Sequence, residues 1–231
     1  MNFLGIDPDM HHLGMALVNE DLHIVRVFCI KNRGSGSKDA VPTGYEAVIL
    51  MAHKLAEVVK QSPITNPFHP AYSLVAAAVE GQEIYGRHKT GNKDPNCLKD
   101  LATVTGFSLM ACLGALGVSP NAYVPLPKEW KGQMHKRAHQ KLILGKAGVA
   151  EYFHEAGSDT QTANGYMALN DDAPEGLIPG SDTVLSGQWK HICDAIGLAQ
   201  YAARTYLDGV VKARLLAEAQ ERRRISSERT T

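Results

Sequence analysis

Three acidic residues stand at the ends of apolar stretches in widely separated parts of the sequence. Asp7 closes a short apolar run near the start, and Glu80 follows a second run of small and branched residues. Asp194 lies near the other end, three residues after His191. Carboxylate oxygens delivered from the edge of a core are ligands for hard cations. This spacing predicts a site for divalent cations.

The segment that carries His191 and Asp194 is predicted to be a helix, on which a spacing of three residues puts both side chains on one face. Small residues follow them and favour close packing against a sheet. These are Ala195, Gly197, Ala199, Ala202 and Ala203. We expect this helix to bring His191 and Asp194 to the sheet end that carries Asp7 and Glu80. Each residue also has a structural alternative. Asp7 would then only form the turn after its strand, and His191 would only pack beside the apolar face of its helix.

The elements that position these residues follow from periodicity and turn residues. Strands are expected at 3–7, 13–18, 23–30, 73–79 and around 123–124, the first three antiparallel. Helices are expected at 45–59, 98–116, 139–153 and 188–207, the last extending to about 221. Residues 157–186 are rich in Gly, Asp, Asn, Thr and Pro and predict a long loop. Glu80 would then end a buried strand, where ligands of open α/β sheets collect.

Length and composition predict a single large domain. The chain has 231 residues, of which 44% are hydrophobic, enough for one sizeable core. We assign residues 1–208 to this domain, with an insertion at 157–187, and residues 209–231 to a helical extension with a basic, flexible tail. No membrane-spanning run or signal peptide is evident, which predicts a cytoplasmic protein with no membrane partner. The four scattered cysteines predict reduced thiols rather than a zinc site.

The formal net charge is zero, which argues mildly against a polyanionic partner. The distribution of charge weakens that argument. One basic cluster comprises Lys128, Lys131, Lys136, Arg137, Lys141 and Lys146, and a second comprises Arg87, His88, Lys89, Lys93 and Lys99. Each cluster would serve either as a solvated face or as a surface for phosphate groups.

The motifs around the acids resemble those of a known family. Residues 4–8 with Gly14 downstream, residues 79–82 and residues 191–199 look like the three motifs of RuvC-like Holliday junction resolvases. The "EGQ" after Val79 and the stretch 128–132 look most like those of viral or phage members of this family. For a viral member, the expected location is the cytoplasm of the host cell. The resemblance spans roughly residues 3–203. It implies an α/β, RNase H-like fold with a mixed five-stranded sheet, three antiparallel strands followed by parallel strands, flanked by helices.

The resemblance also implies site residues. Asp7, Glu80 and Asp194 match the family's metal-binding carboxylates, and His191 matches its fourth position. Two Mg²⁺ ions, with Mn²⁺ as a substitute, would then lie about 3.5–4 Å apart and promote phosphodiester hydrolysis. Asp9 stands where the commoner pattern has Gly and is a candidate extra acid. Glu83 is an alternative to Glu80 as second ligand.

Resolvases of this family act as homodimers on four-way DNA junctions, and the basic clusters would supply phosphate contacts. Tyr85 resembles the aromatic residue that wedges into the junction, whereas Trp130 is predicted to be a packing anchor. The helix at 98–116 is a candidate dimer interface, through Met110, Leu113 and Leu116. The DNA-binding candidates are Tyr85, Arg87, Lys89, Lys128, Lys131, Lys136, Arg137 and Lys141.

The sequence therefore predicts a metal-dependent endonuclease that resolves Holliday junctions by paired, symmetric cleavage. A branched-DNA or flap endonuclease of the same fold is the first alternative, since it would use the same acids without junction symmetry. An actin-like or sugar-kinase ATP-binding domain shares the opening motif but would need a second phosphate loop. A non-catalytic DNA-binding descendant is the remaining alternative.

Overall fold

The computed structural model describes residues 1–9, 11–32, 44–60, 73–81, 95–116, 121–157 and 165–228. Within these ranges the chain forms a five-stranded sheet, a separate two-stranded hairpin and five α-helices. The predicted site residues Tyr85, Arg87 and Lys89 lie outside the described residues, as does Glu83.

The main sheet is mixed, as predicted. Its strands are β1 (Asn2–Asp7), β2 (His12–Asn19), β3 (Ile24–Lys31), β4 (Leu74–Val79) and β5 (Ala122–Tyr123), in the spatial order β3-β2-β1-β4-β5. The first three strands form an antiparallel meander. β4 then pairs in parallel with β1, and β5 in parallel with β4. The prediction of three antiparallel strands followed by parallel strands is confirmed.

Helices cover both faces of this sheet. They are α1 (Gly44–Lys60), α2 (Pro95–Leu116), α3 (Pro127–Trp130), α4 (Lys136–Lys146) and α5 (Trp189–Glu228). Because successive side chains of a strand point to opposite faces, β1 contributes to two cores. Leu4 and Ile6 lie in one core with Val48 of α1, and Phe3 lies in the other with Ile192 of α5. The sheet is thus the middle of three layers.

Two glycines allow α5 to lie unusually close to the sheet. A Cβ atom added at Gly5 would overlap the backbone of Ala195 and Ala199. One added at Gly14 would lie 2.5 Å from the carbonyl oxygen of His191. No real Cβ is found at such distances, so both positions require glycine. The predicted close packing of this helix on the sheet is confirmed, and it carries the first turns of α5 over the end of β1.

Gly197 serves a different neighbour from the one we predicted. A Cβ there would lie 2.6 Å from the Trp130 ring and from Ile143 Cδ1, so this glycine makes room for α3 and α4 instead of the sheet. Trp130 also makes an edge contact with His139, with 5.0 Å between ring centroids. The prediction that Trp130 is a packing anchor is confirmed.

The segment between α4 and α5 differs from the prediction. The helix expected at 139–153 spans Lys136–Lys146 and stops near Gly148, whose φ of +74° is incompatible with a continuing helix. The strands β6 (Phe153–Ala156) and β7 (Tyr166–Leu169) then form an antiparallel hairpin. β7 lies inside the segment predicted to be a loop, because four residues are too few to show a clear period.

The second half of α5 extends away from the core. The helix continues to Glu228, past the predicted end and through residues 221–224, which we expected to fray. Residues 208–222 are exposed on every side of it. No helix in the described part of the chain is long and apolar enough to cross a membrane. Cys29, Cys112 and Cys193 are buried and unbonded, which confirms reduced thiols for these three.

Candidate metal centre

The topology of the sheet brings Asp7 and Glu80 together. β1 and β4 are parallel neighbours that pair Ile6 with Val79, so the residues that follow them lie side by side. The N–H of Glu80 donates to the carbonyl oxygen of Ile6 at 3.1 Å, and the Asp7 and Glu80 carboxyl groups share a hydrogen bond. Two acids that are 73 positions apart in the sequence therefore occupy one sheet edge.

Helix α5 supplies the third acid and the histidine. His191 Nδ1 lies 2.7 Å from Asp7 Oδ2, and both side chains are about nine-tenths buried. Asp194 is 4% exposed and lies near enough to Asp7 for its charge to raise the pKa of that carboxyl. The structure thus brings Asp7, Glu80, His191 and Asp194 together, as their order in the sequence suggested.

Burial and repulsion between the acids raise two pKa values. The pKa of Asp7 rises from 3.8 to about 7, first because the group is buried and then because of the Asp194 charge. The pKa of Glu80 rises from 4.5 to about 8, through burial and then the charge of Asp7. Desolvation and like charges both disfavour the ionised form. Near neutral pH this cluster therefore retains protons unless further positive charge reaches it.

His191 is neutral in this setting. Burial lowers its pKa from 6.5 to about 4, and the cations Lys190 and Lys136 lower it further, against the opposing effect of Asp9. The contact with Asp7 is consequently a hydrogen bond between an imidazole and a carboxyl group. A neutral imidazole has a lone pair for a metal ion or a proton.

Two of the lysines that we predicted to bind DNA contact the acids. Lys131 Nζ lies 3.3 Å from Glu80 Oε1, and Lys136 Nζ lies 2.5 Å from Asp194 Oδ2. Burial alone would lower the pKa of Lys136, but the negative charges of Asp194 and Asp7 outweigh it and raise that pKa. Both lysines follow α3 in the chain, and the packing of Trp130 on α5 holds this segment against the site.

Gln140 is a buried residue of the site that the sequence analysis missed. Its Nε2 donates to Asp194 Oδ1 at 2.8 Å and to the carbonyl oxygen of Lys190 at 3.2 Å. Its Oε1 accepts from the N–H of Met167 in β7 at 2.9 Å. The amide thus holds Asp194 against α4 and the hairpin. One signal was available, because Gln140 lies four residues after Lys136 and so shares its helix face.

Asp9 and His12 lie in the turn between β1 and β2, beside the same cluster. Asp9 Oδ1 accepts from the N–H groups of His11 and His12 at 2.8 and 3.2 Å. The His12 ring stacks on that of His191, with 5.8 Å between centroids. The sequence predicts Asp9 as a candidate extra acid of the metal site. It gives no indication of a role for His12.

The remaining cationic candidates lie on the outer surface of α3 and α4. Lys128 and Lys141 are exposed. Arg137 is half-buried and pairs with Glu155 of β6, with 2.6 Å between Nη1 and Oε2. These residues lie within ten positions of Lys131 and Lys136 in the chain, so the segment that supplies the two lysines also carries further cationic side chains.

This donor set suits a hard divalent cation. Asp7 at the end of β1, Glu80 just after β4 and Asp194 in α5 present carboxylate oxygens in one largely buried cluster, and oxygen is the donor that Mg²⁺ prefers. Burial first, and then the charges of neighbouring acids, raise the pKa values of Asp7 and Glu80, so a bound cation would favour the ionised form of both carboxyl groups. Residues able to hold such cations are therefore Asp7, Glu80 and Asp194, with His191 as a nitrogen donor.

Comparison with known proteins supports the fold. No protein-family model matches the sequence, and no characterised protein matches it either. Among solved structures, RuvC of Thermus thermophilus in complex with a Holliday junction substrate is 17% identical, with a TM-score of 0.51; the match covers 91% of this chain and 96% of that one. A second Thermus thermophilus RuvC structure is 18% identical, with a TM-score of 0.48 and the same coverage.

A sugar kinase is also similar over part of the chain. The ROK hexokinase of Thermus thermophilus is 12% identical, with a TM-score of 0.29, and the match covers 67% of this chain and 42% of that one. The first RuvC match, together with the strand order, shows that the chain has an RNase H-like α/β fold similar to that of RuvC.

Proposed function

We propose that this chain is a metal-dependent endonuclease that resolves four-way DNA junctions by paired phosphodiester hydrolysis. The observation that carries the proposal is the convergence of Asp7, Glu80 and Asp194 from three separate segments into one buried cluster. Burying three acids close together destabilises the folded state, because burial and mutual repulsion disfavour their charged forms. The raised pKa values of Asp7 and Glu80 indicate this cost. An arrangement of this kind is explained by a role in binding cations.

The cluster fits Mg²⁺, and Mn²⁺ as its substitute, because its donors are chiefly carboxylate oxygens. Asp7, Glu80 and Asp194 would hold two such ions. Divalent cations bound there would activate a water nucleophile and stabilise the charge of the leaving oxygen. His191, neutral and hydrogen-bonded to Asp7, would hold that carboxylate in position for the cations.

Lys131 and Lys136 have two successive roles in this proposal. In the structure they contact the carboxyl groups of Glu80 and Asp194. With divalent cations bound to these carboxylates, the two ammonium groups would be available to phosphate oxygens beside the site. A lysine in such a position stabilises negative charge that develops on the phosphate. The lysines would thus contribute to the chemical step more than to the overall affinity for DNA.

The exposed cations on α3 and α4 would supply that affinity. Lys128, Arg137 and Lys141 lie near Lys131 and Lys136 in the chain, and each contact with a phosphate would release counterions without reading the base sequence. Tyr85, Arg87 and Lys89 follow Glu80 closely in the chain, which is the basis for proposing that they also contact DNA. The Thermus thermophilus RuvC structure contains a Holliday junction, and a similar fold supports a branched substrate for this chain.

A homodimer would place two such sites on one junction. Opposed strands of a four-way junction are related by two-fold symmetry, which a dimer with a two-fold axis matches. Helix α2 is the proposed interface, since its Phe107 and Met110 are 45% and 66% exposed. Large apolar side chains exposed together on one helix are typical of a surface that another protein covers.

The experiment that tests this function compares three labelled substrates, a mobile four-way junction, a Y-fork and a linear duplex, with and without Mg²⁺. Symmetric nicks in the junction that need Mg²⁺ and disappear in Asp7→Asn are the expected result. The matched control is Asp182→Asn, which removes an exposed carboxylate from a turn far along the chain.

Each other outcome refutes part of the proposal. Preferential cutting of the Y-fork, or single unpaired nicks, would identify a flap endonuclease and exclude a resolvase. Junction binding without cleavage in either Mg²⁺ or Mn²⁺ would exclude nuclease activity altogether. An equal loss in Asp7→Asn and Asp182→Asn would show that the buried cluster has no special role.

A further inference from the structure

A second group of metal-ligand side chains lies beside the carboxylate cluster. Asp9, His12 and His191 each present one ligand atom, and these three atoms lie within 4.8 Å of one another. The group differs from the carboxylate cluster in its chemistry, because two of its three donors are imidazole nitrogens. Neither Asp9 nor His12 has a role in the proposed nuclease reaction.

The turn after β1 holds Asp9 in place. The two backbone N–H groups that donate to Asp9 Oδ1 fix its carboxylate at the start of β2. His12 is the first residue of β2, where it pairs with Lys31 of β3, and its ring stacks on His191 of α5. A turn, a strand and a helix thus deliver the three donors from rigid positions.

We propose that Asp9, His12 and His191 bind one transition-metal ion of the Zn²⁺ class. Two imidazoles and one carboxylate form the donor set of many zinc sites that leave a further position open. Nitrogen donors favour zinc and related ions over Mg²⁺, which prefers oxygen. The carboxylate cluster and this group would therefore select different ions although they are adjacent.

The contact between His191 and Asp7 strengthens this assignment. Histidines that bind metal usually donate their other ring N–H to a carboxylate, which orients the ring and increases its basicity. His191 Nδ1 lies 2.7 Å from Asp7 Oδ2, which leaves Nε2 as the nitrogen for an ion. Asp7 would thus orient a zinc ligand while serving as a ligand in its own cluster.

The geometry needs only a small adjustment. Bonds of about 2.0–2.1 Å to a tetrahedral ion place donor atoms roughly 3–3.5 Å apart, so donors within 4.8 Å must close by about 1 Å. Rotation of the half-buried side chains of Asp9 and His12 supplies such a movement, while His191 stays in place.

The test measures zinc binding directly. ZnCl₂ is titrated by calorimetry into the full chain after metal removal, in the presence of excess Mg²⁺, and bound zinc is counted by elemental analysis after dialysis. One equivalent is expected in the wild type. His12→Asn and Asp9→Asn should each weaken the affinity for zinc by roughly 100-fold. Loss of a residue that only supports a ligand costs about 10–100-fold, and loss of a ligand itself should lie at or above the top of that range. Asn at position 9 keeps an oxygen for the turn hydrogen bonds.

Two controls make the result specific. His53→Asn removes an exposed histidine from α1 and should leave zinc binding unchanged. Glu80→Gln should abolish Mg²⁺-dependent cleavage and leave zinc binding unchanged. Thermal melting checks that each variant is folded, and His12→Gln replaces His12→Asn if that variant fails to fold.

The inference fails if the wild type binds no zinc, or if His12→Asn and Asp9→Asn bind it as tightly as the wild type. It also fails if Glu80→Gln removes the bound zinc, because the ion would then belong to the carboxylate cluster. A chain that binds zinc as expected but cuts no junction would leave this inference intact and refute the proposed function. The two proposals are therefore tested separately.

Discussion

The acids and the lysines of the candidate site are positioned in different ways. Asp7 and Glu80 end neighbouring buried strands, and Asp194 lies on a helix pressed onto the sheet through Gly5 and Gly14. Lys131 and Lys136 belong to a segment with short helices, which is held in place by the packing of Trp130 against Gly197. The acids thus depend on the core of the fold, whereas the lysines depend on a surface segment docked onto it.

This difference separates two contributions to activity. Core elements fix the carboxylates within a small range of positions, which metal binding requires. The docked segment brings positive charge to the same place and continues into the exposed cations of α4. We therefore expect changes at the acids to abolish the reaction, and changes at the lysines to divide into effects on the chemical step and on DNA binding.

The largest effect is expected from Asp7→Asn. Loss of the central carboxylate should reduce junction cleavage by on the order of 10³-fold or more, about 4 kcal/mol in the barrier, because a neutral amide is a poor ligand for Mg²⁺. Single-turnover cleavage and a gel-shift assay measure the two properties separately. Junction affinity should stay within a few-fold of the wild type; a parallel loss of binding would show that the acids also position DNA.

Gly5→Ala tests whether the core sets the site. The added methyl group would overlap the backbone of α5, so the free energy of unfolding in urea should fall by about 3 kcal/mol. Gly106→Ala is the matched control, since nothing lies within 4 Å of a Cβ at that helical position. There we expect no loss, and a gain of up to about 1 kcal/mol. Equal effects at both glycines would contradict the close packing of α5.

The comparison is sharpened by Lys136→Met and Lys141→Met. Lys136 contacts Asp194, so its loss should lower cleavage at saturating DNA by about 10–100-fold, as expected for a group that stabilises developing charge. Lys141 is exposed, and its loss should leave that rate unchanged while the salt dependence of junction binding falls by about one unit. If both variants change only the salt dependence, the lysines are ordinary phosphate contacts.

The smallest effect concerns stability and pH. Asp7 and Glu80 have folded pKa values of about 7 and 8, above the ordinary 3.8 and 4.5. The unfolded chain therefore binds fewer protons between about pH 4 and 8, so the metal-free protein should lose stability as pH rises through this window. Thermal melting should show a decline that Asp7→Asn reduces, by on the order of 1 kcal/mol at pH 8. Stability that instead rises across this window would contradict the raised pKa values.

The sequence revealed those parts of the site that follow a buried, regular element. An apolar run that ends in an acid identifies Asp7 and Glu80, and the spacing of His191 and Asp194 with small residues behind them identifies the packed helix. The mixed sheet follows from the same strands. These features are local, because a few adjacent residues determine each of them.

The parts that the sequence did not reveal depend on contacts between distant segments. Lys131 and Lys136 look like members of a basic surface until α3 and α4 are placed against α5. The role of Gln140 depends on β7, because Gln140 accepts a hydrogen bond from Met167 of that strand and donates one to Asp194. Neither the strand nor the contact can be predicted from the residues around Gln140. His12 gains its role from the stacking on His191, which no local pattern encodes.

The contacts of Lys131 with Glu80 and of Lys136 with Asp194 have a consequence for folding in the absence of metal. A nuclease whose buried acids could be balanced only by divalent ions would depend on metal supply in order to fold. In this chain the positive charges of Lys131 and Lys136 would balance part of that negative charge before any cation binds. Folding would then not require magnesium, and in the proposed nuclease the concentration of the metal would control activity instead of the amount of folded protein.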